Sequence, residues 1–315
     1  MSIAELDHLA VNKDGFFKGS ERAPLSSFGK VMRLIFGAEI TNYGFDRLVK
    51  KHLSWPKWLP LAVEVHHGWY PRSAPRQGDL KKNVPAILVF NTRQAEAWAA
   101  KSSKPVHVLG APFIHYRRSM CLEQSAAAQG TIVFPVHSGT IVEAKFDVSA
   151  YCAELKSLPA EMHPITICLH EDDIKKGRQI AYLEEGFSVY CAGARRGERF
   201  AENFYELLRR HKYSSSNGLG SYVLYSVEMG IPFFLLGPSA TFDSVEFEHF
   251  NSEPVVVIAH KLFRDFSPLI TAEQRAFVLA ESGIDHSVRP EVLKKLLLPS
   301  VLFNPIGRLL RKVSK

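Results

Sequence analysis

Lys212 to Gly237 reads KYSSSNGLGSYVLYSVEMGIPFFLLG, and this stretch decides the fold. It begins as a strand that ends in hydroxyl side chains and turns through a glycine-containing segment. It continues as a short apolar helix and closes as a buried strand, PFFLLG. That order presents backbone N–H groups and serine hydroxyls at a helix N-terminus, where the free amides and the positive end of the helix dipole favour an anion. A phosphate can be held there without a metal.

The same alternation repeats upstream. TIVFPVHSG (131–139) is an apolar run ending in polar residues and glycine, and DVSAYCAELKSLP follows with Val148, Tyr151, Cys152 and Leu155 on one helical face. ITICLHEDD (165–173) is a second strand, and GRQIAYLEEG a helix with Gly186 as its stop. FSVYCAG is a third strand, and ERFAENFYELLRRH a helix with Phe200, Phe204, Leu207 and Leu208 on one face. Strands and helices alternating at this spacing predict βαβ units and a parallel, Rossmann-like sheet.

The N-terminal half is less regular but of the same kind. LAVEVHHGW (61–69), VPAILVFN (84–91) and PVHVLGAP (105–112) read as strands, with a helix over TRQAEAWAAKS. Residues 70–82 read as a proline-rich loop and 113–130 as a linker. TAEQRAFVLAES and PEVLKKLLL are helical. The expected organisation is an N-terminal α/β domain over 1–125, a Rossmann-like domain over 126–270 and C-terminal helices over 271–315 that pack back on the first domain.

Composition fits an ordinary globular chain: 46% of the 315 residues are hydrophobic, too many for a disordered protein. No apolar run approaches the roughly 20 residues of a membrane span, and the N-terminus lacks an apolar signal core. The four cysteines form no CxxC pair, which argues against a zinc ribbon. Cys168 and Cys191 fall in strand-like runs and read as buried thiols, so a reducing, cytoplasmic compartment is expected. A net charge of +7 favours anionic partners.

In an open parallel sheet ligands sit at the carboxyl ends of the strands, so the strand ends carry the candidates. Ser215, Ser216, Asn217, Gly218, Gly220 and Ser221 suit a phosphate, because small residues let the backbone approach and hydroxyls add donors. They equally suit a serine-rich cap of an ordinary helix. His137, followed by Ser138, can donate to a phosphate or be a hydrogen-bonded strand-end histidine. Glu171 and Asp172 of HEDD can accept from a ribose or a base, or simply start a helix. In the N-terminal half Glu64, His66 and His67 end a strand, and any of them can serve as a base toward a hydroxyl. His67 is favoured because Gly68 permits a sharp turn beside it. His163-Pro164 and Glu184-Glu185-Gly186 match sialyltransferase motifs superficially, but their order along the chain is wrong. The tail VLFNPIGRLLRKVSK is basic and amphipathic, which fits an anionic membrane surface or a helix packed on a domain.

The chain resembles GT-B-type glycosyltransferases, two Rossmann-like domains facing a cleft, and more narrowly the bacterial glycosyltransferase-like proteins of surface-polysaccharide gene clusters. VEVHHGW, VHVLGAPF, IVFPVHSG and SSSNGLGSYVLYSVEMGIPFFLLG carry the resemblance, which covers roughly residues 60–240. It implies donor contacts at His137, Ser138, Ser215, Ser216, Asn217, Gly220 and Ser221, with Glu171 or Asp172 as the ribose carboxylate. The acceptor base falls on His66 or His67, with Glu64 as a third candidate. The implied activity is metal-independent, inverting transfer of a sugar from a nucleotide-sugar to a glycan or lipid-linked acceptor. The nucleotide-sugar is a substrate, and neither a cofactor nor nucleic acid is expected. The expected place is the cytoplasm, with peripheral contact at the inner face of the cell membrane. A nucleotide-sugar epimerase of the same architecture and a non-catalytic glycan-assembly partner are the alternatives.

Overall fold

Ile87, Leu88 and Val89 are wholly excluded from solvent, which is what a continuous aliphatic run achieves only as a strand covered on both faces. Burying each such side chain contributes about 1.5–3 kcal/mol. The computed structural model describes residues 3–15, 24–66, 68–139, 142–243 and 250–306. The chain forms two units, residues 22–118 with 280–315 and residues 1–21 with 119–279.

The first unit holds α1 (Ser27–Phe36), α2 (Phe45–His52), β1 (Glu64–Val65), α3 (Gln77–Leu80), β2 (Ile87–Val89), α4 (Thr92–Ala99), β3 (Val106–Val108) and α5 (Pro112–Ser119). Its sheet is parallel, in the order β1-β2-β3. Asn91 caps α4 by accepting from the Gln94 amide at 2.9 Å. The expected loop over 70–82 contains one helical turn, α3, and the expected linker over 113–130 begins inside a helix, α5.

The second unit is built on β4 (Thr131–Val133), β5 (Ala144–Lys145), α6 (Val148–Lys156), β6 (Ile165–Cys168), α7 (Glu171–Lys175), α8 (Gln179–Glu184), β7 (Ser188–Tyr190), α9 (Phe200–Leu208), β8 (Tyr213–Ser216), α10 (Ser221–Glu228), β9 (Phe233–Leu235), β10 (Thr241–Phe242) and α11 (Pro254–Phe263). Five strands form one parallel sheet in the order β7-β6-β4-β8-β9. Each strand and crossover helix predicted from 131 to 236 is present. One face of the sheet packs Val133, Ile167 and Val189 with Tyr151, Cys152 and Leu155 of α6.

Two terminal segments pair far from their neighbours in sequence. Val11 donates its amide to Val189 O and Cys191 donates to Leu9 O, both at 2.9 Å, so residues 9–11 lie beside β7. At the other end, α12 (Ala272–Ser282) leads into α13 (Pro290–Leu302). Ser282 O accepts the Ala111 amide at 2.9 Å and Glu281 O accepts from Asn91 Nδ2 at 2.8 Å. The units therefore divide the chain differently from the boundaries expected at 125 and 270, because pairing partners and not chain continuity define them.

Gly283 is held where no other residue fits. Its φ is +63°, and a Cβ there would lie 1.8 Å from Phe90 O. Beside it, Glu281 takes a two-pronged contact from Arg93 at 3.2 and 2.8 Å and accepts from Trp69 Nε1 at 2.7 Å. Arg93 also donates to the carbonyls of Tyr70, Pro71 and Arg72. This knot fixes the segment that follows β1.

Candidate functional site

Numbered by their sequence within the sheet, the five strands run 3-2-1-4-5, and the direction of winding reverses between β4 and β8. In such sheets the crevice for a ligand opens outside the carboxyl ends of the two strands at the reversal. The loop Phe134–Gly139 leaves β4 there, and the turn Asn217–Gly220 leaves β8.

Asn217 joins the two. Its Oδ1 accepts the Val136 amide at 2.8 Å, and its Nδ2 donates to Pro238 O at 3.0 Å, so one buried side chain ties together the loops after β4, β8 and β9. Gly218 is forced by the same closeness, since a Cβ would meet Val136 Cγ2 at 2.3 Å. Ser216 Oγ accepts the Gly218 amide at 3.1 Å and lies 2.9 Å from the Tyr222 hydroxyl, which itself donates to Gly218 O at 2.9 Å. The Tyr222 ring stacks on Phe134, 5.3 Å between centroids and 9° from parallel. The turn is thus braced from within. Gly220 is the N-cap of α10 and supplies no capping side chain, and Ser221 is the first helical residue.

The serines of β8 differ from one another. Ser214, Ser215 and Ser216 are all excluded from solvent. Ser215 Oγ is buried without a hydrogen-bond partner, and Ser216 Oγ is committed to the turn. Only Asn217 to Ser221 make up the loop and helix start itself.

On the other side of β4, His137 and His170 stack with ring centroids 4.3 Å apart and planes 21° from parallel. His137 is exposed, while His170 is covered and caps α7 by accepting the Asp172 amide on Nδ1 at 3.2 Å. Burial first, then the neighbouring His137, Arg195 and Lys175, drive the His170 pKa down to about 2. The ring is neutral, so the 3.6 Å approach of Asp172 Oδ2 to the same nitrogen is a contact and not an ion pair. Glu171 is engaged on both oxygens, by Lys175 Nζ at 2.6 Å and by the Arg195 amide at 2.8 Å. Ser138 is buried: its amide donates to Asp173 Oδ1 at 3.1 Å, and its hydroxyl accepts the Ala144 amide at 3.2 Å. Asp173 is buried with Oδ2 lacking a hydrogen bond, although Arg178 lies 3.5 Å from Oδ1. Burial raises its pKa against the opposing pull of the Ser138 amide, His137 and Arg178. Sequence reasoning passed over Asp173 in favour of its two neighbours, because only the fold turns it toward the β4 loop.

In the three-strand unit, Glu64 and His66 are both buried. Lys82 Nζ sits 2.8 Å from Glu64 Oε1, and burial outweighs that partner to leave the carboxyl pKa raised. His66 Nε2 accepts from Trp98 Nε1 at 3.0 Å, which takes up that lone pair. His67 lies outside the described residues, as do residues 307–315 of the tail.

His163-Pro164 and Glu185-Gly186 come together around one surface depression of about 510 Å³. It lies at the amino ends of β6 and β7, the edge opposite the one at which parallel sheets hold ligands. Cys168 and Cys191 are buried, and burial pushes the Cys191 thiol up to about 12. Among the described residues no group of three or more His, Cys, Asp or Glu is placed to hold a metal ion. No described helix is long and apolar enough to cross a membrane.

Comparison of the chain with protein-family models, curated proteins and solved structures gives no match. What can be said of its class rests on its own topology: a mixed α/β protein with a five-stranded and a three-stranded parallel sheet.

Proposed function

We propose that the chain is a glycosyltransferase that binds the phosphates of a nucleotide-sugar at the winding reversal of the five-stranded sheet. The GT-B class expected from the sequence belongs to the same proposal. The observation that supports it is the convergence on that reversal of two segments suited to an anion, the His137 loop and the Gly220–Ser221 start of α10. The eight-residue helix directs its positive end there, and a departing nucleotide phosphate is stabilised by such a dipole. Asn217, Gly218 and Tyr222 hold the turn rigid, so it needs little reorganisation when charge develops.

In this reading His137 is the exposed donor toward the donor phosphates, with His170 as its neutral stacking partner. Acceptor activation is assigned to the segment after β1. Glu64 and His66 are engaged by Lys82 and Trp98, so His67 is the base that the proposal keeps. Transfer then proceeds by one in-line displacement: the acceptor oxygen attacks the anomeric carbon, its proton passes to the base, and the nucleotide phosphate leaves with the bonding pair.

A thermal-shift screen with UDP, GDP, TDP and CMP tests the reading. A ligand at a hundred times its Kd stabilises the fold by about 2.7 kcal/mol. One nucleotide should raise Tm, and Ser221→Ala should weaken that shift. Absence of any shift, or a shift unaltered by substitutions at 137, 217 and 221, rejects the site. Incubation of the bound nucleotide's sugar derivatives without acceptor then separates transfer from epimerisation, because only epimerisation proceeds alone.

A further inference from the structure

The helix α1 carries its apolar side outward. Phe28, Val31, Leu34 and Ile35 are 59, 51, 77 and 43% exposed, while Met32 is the buried residue of the helix. At 100° per residue these four fall on one continuous arc, which on an ordinary surface helix would face the core. The charged residues Lys30 and Arg33 lie outside that arc. Arg33 reaches back to Glu39 at 3.2 Å, and Glu39 also binds Lys50 and accepts the Leu61 amide at 2.8 Å. The inner side of α1 is therefore anchored by charge, and the apolar arc is its more exposed side.

The patch extends beyond the helix. Asn304 Nδ2 donates to Phe36 O at 2.9 Å, which seats the end of α13 against the end of α1. There Leu302, Phe303 and Ile306 are again exposed, at 39, 66 and 56%. Exposed apolar groups collected this way mark a docking surface.

Charge identifies what docks. The unit made of residues 22–118 and 280–315 contains 23 Lys and Arg against 8 Asp and Glu, a net charge of +15. The other unit contains 16 against 24, a net charge of −8, so the whole positive excess of the chain lies in the unit that bears the patch. Val257 and Ile258 of α11 are also exposed, but on the acidic unit. Aliphatic and aromatic side chains borne by a unit of this net charge fit the interface of an anionic bilayer, where apolar groups enter the acyl boundary and Lys and Arg stay with the headgroups. Nucleic acid would leave the apolar arc without a partner.

We infer that α1, together with the end of α13, is a membrane-docking surface for anionic phospholipid. It extends the expectation placed on the C-terminal tail, because the apolar contact is assigned to residues 28–35, and it does not depend on the catalytic reading above.

Co-sedimentation with vesicles of phosphatidylcholine and phosphatidylglycerol, against phosphatidylcholine alone, tests this. The full chain should bind the anionic vesicles at least about tenfold more tightly and lose affinity as salt rises. Phe28→Ser with Leu34→Ser should reduce binding about tenfold or more, with an unchanged melting curve because both side chains are exposed. Binding that depends on salt but ignores the double substitution overturns the role of α1. Failure to bind vesicles, with a concentration-dependent dimer that the double substitution dissolves, assigns the face to a second copy of the chain. Failure of both also overturns it.

Discussion

Asn217 Oδ1 accepts the Val136 amide at 2.8 Å, so a side chain at the end of β8 completes the backbone hydrogen bonding of the loop after β4. The same residue donates to Pro238 O on the third loop. Asn217→Ala leaves two partly buried groups without partners, at a combined cost of about 1–3 kcal/mol. Urea denaturation should show a midpoint lowered accordingly. Asn217→Asp keeps the acceptor but sets a carboxylate oxygen against Pro238 O, and should be destabilised as well.

Two adjacent serines should respond differently. Ser215 Oγ is buried and makes no hydrogen bond, so Ser215→Ala should leave stability within about 0.5 kcal/mol or raise it, since a buried hydroxyl without a partner costs free energy. Ser216→Ala removes the acceptor of the Gly218 amide and should cost about 1–3 kcal/mol. Chemical denaturation of the pair separates them. Equal losses would mean that the β8 hydroxyls act as a set, as a phosphate cradle built on both would require.

Gly283→Ala should be among the most damaging single changes. The new methyl would overlap Phe90 O at 1.8 Å, in a backbone conformation with φ of +63° that alanine avoids. A loss above about 3 kcal/mol is expected from such a backbone clash. Gly78→Ala in α3 is the control: nothing lies within 4 Å of its Cβ, and helix propensity predicts a gain of up to about 1 kcal/mol. Thermal melts of the two proteins should move in opposite directions.

Stability should fall on mild acidification. Burial holds His170, His52 and His211 neutral, with pKas of about 2, 4 and 4. Their unfolded value is near 6.5, so below that pH the unfolded chain takes up protons that the folded chain refuses. The contribution is complete above pH 6.5 and is lost as pH falls toward the folded values. Each fully covered histidine changes stability by up to about 1.4 kcal/mol per pH unit. Glu64 and Asp173, whose pKas burial raises, act in the opposite sense. Urea midpoints should therefore be level from pH 7.5 to 7 and decline between 6.5 and 5. A level profile across that window rejects the buried neutral histidines.

The five-stranded sheet was legible because its signal is local. ITICL, FSVYC and FFLL are each a mainly apolar run, and α6 declares itself through Val148, Tyr151, Cys152 and Leu155. The residues at the strand ends were legible as a set, but their roles were not. Ser215 and Ser216 look alike in sequence, whereas one hydroxyl faces a dry interior and the other closes a turn with Tyr222. Glu171 and Asp172 drew notice as carboxylates able to accept from a ribose or a base. It is Asp173 that the fold turns onto Ser138. Residues 20–60 gave no expectation, although Ser26 caps a ten-residue helix there by accepting from Gly29.

By itself the sequence determined that the chain is α/β, where its parallel strands and crossover helices fall, and that a glycine turn precedes α10. Periodicity and turn chemistry act over a few residues, so they can be read without knowing what packs where. Tertiary structure alone decided the order 3-2-1-4-5, which brings the His137 loop beside Asn217 across 80 residues of chain. It alone decided that residues 9–11 pair with β7, that Glu281 and Gly283 lock against Phe90 and Arg93, and that α1 turns its apolar side outward. Those outcomes depend on contacts between segments far apart in sequence, and no local pattern encodes which distant partner wins.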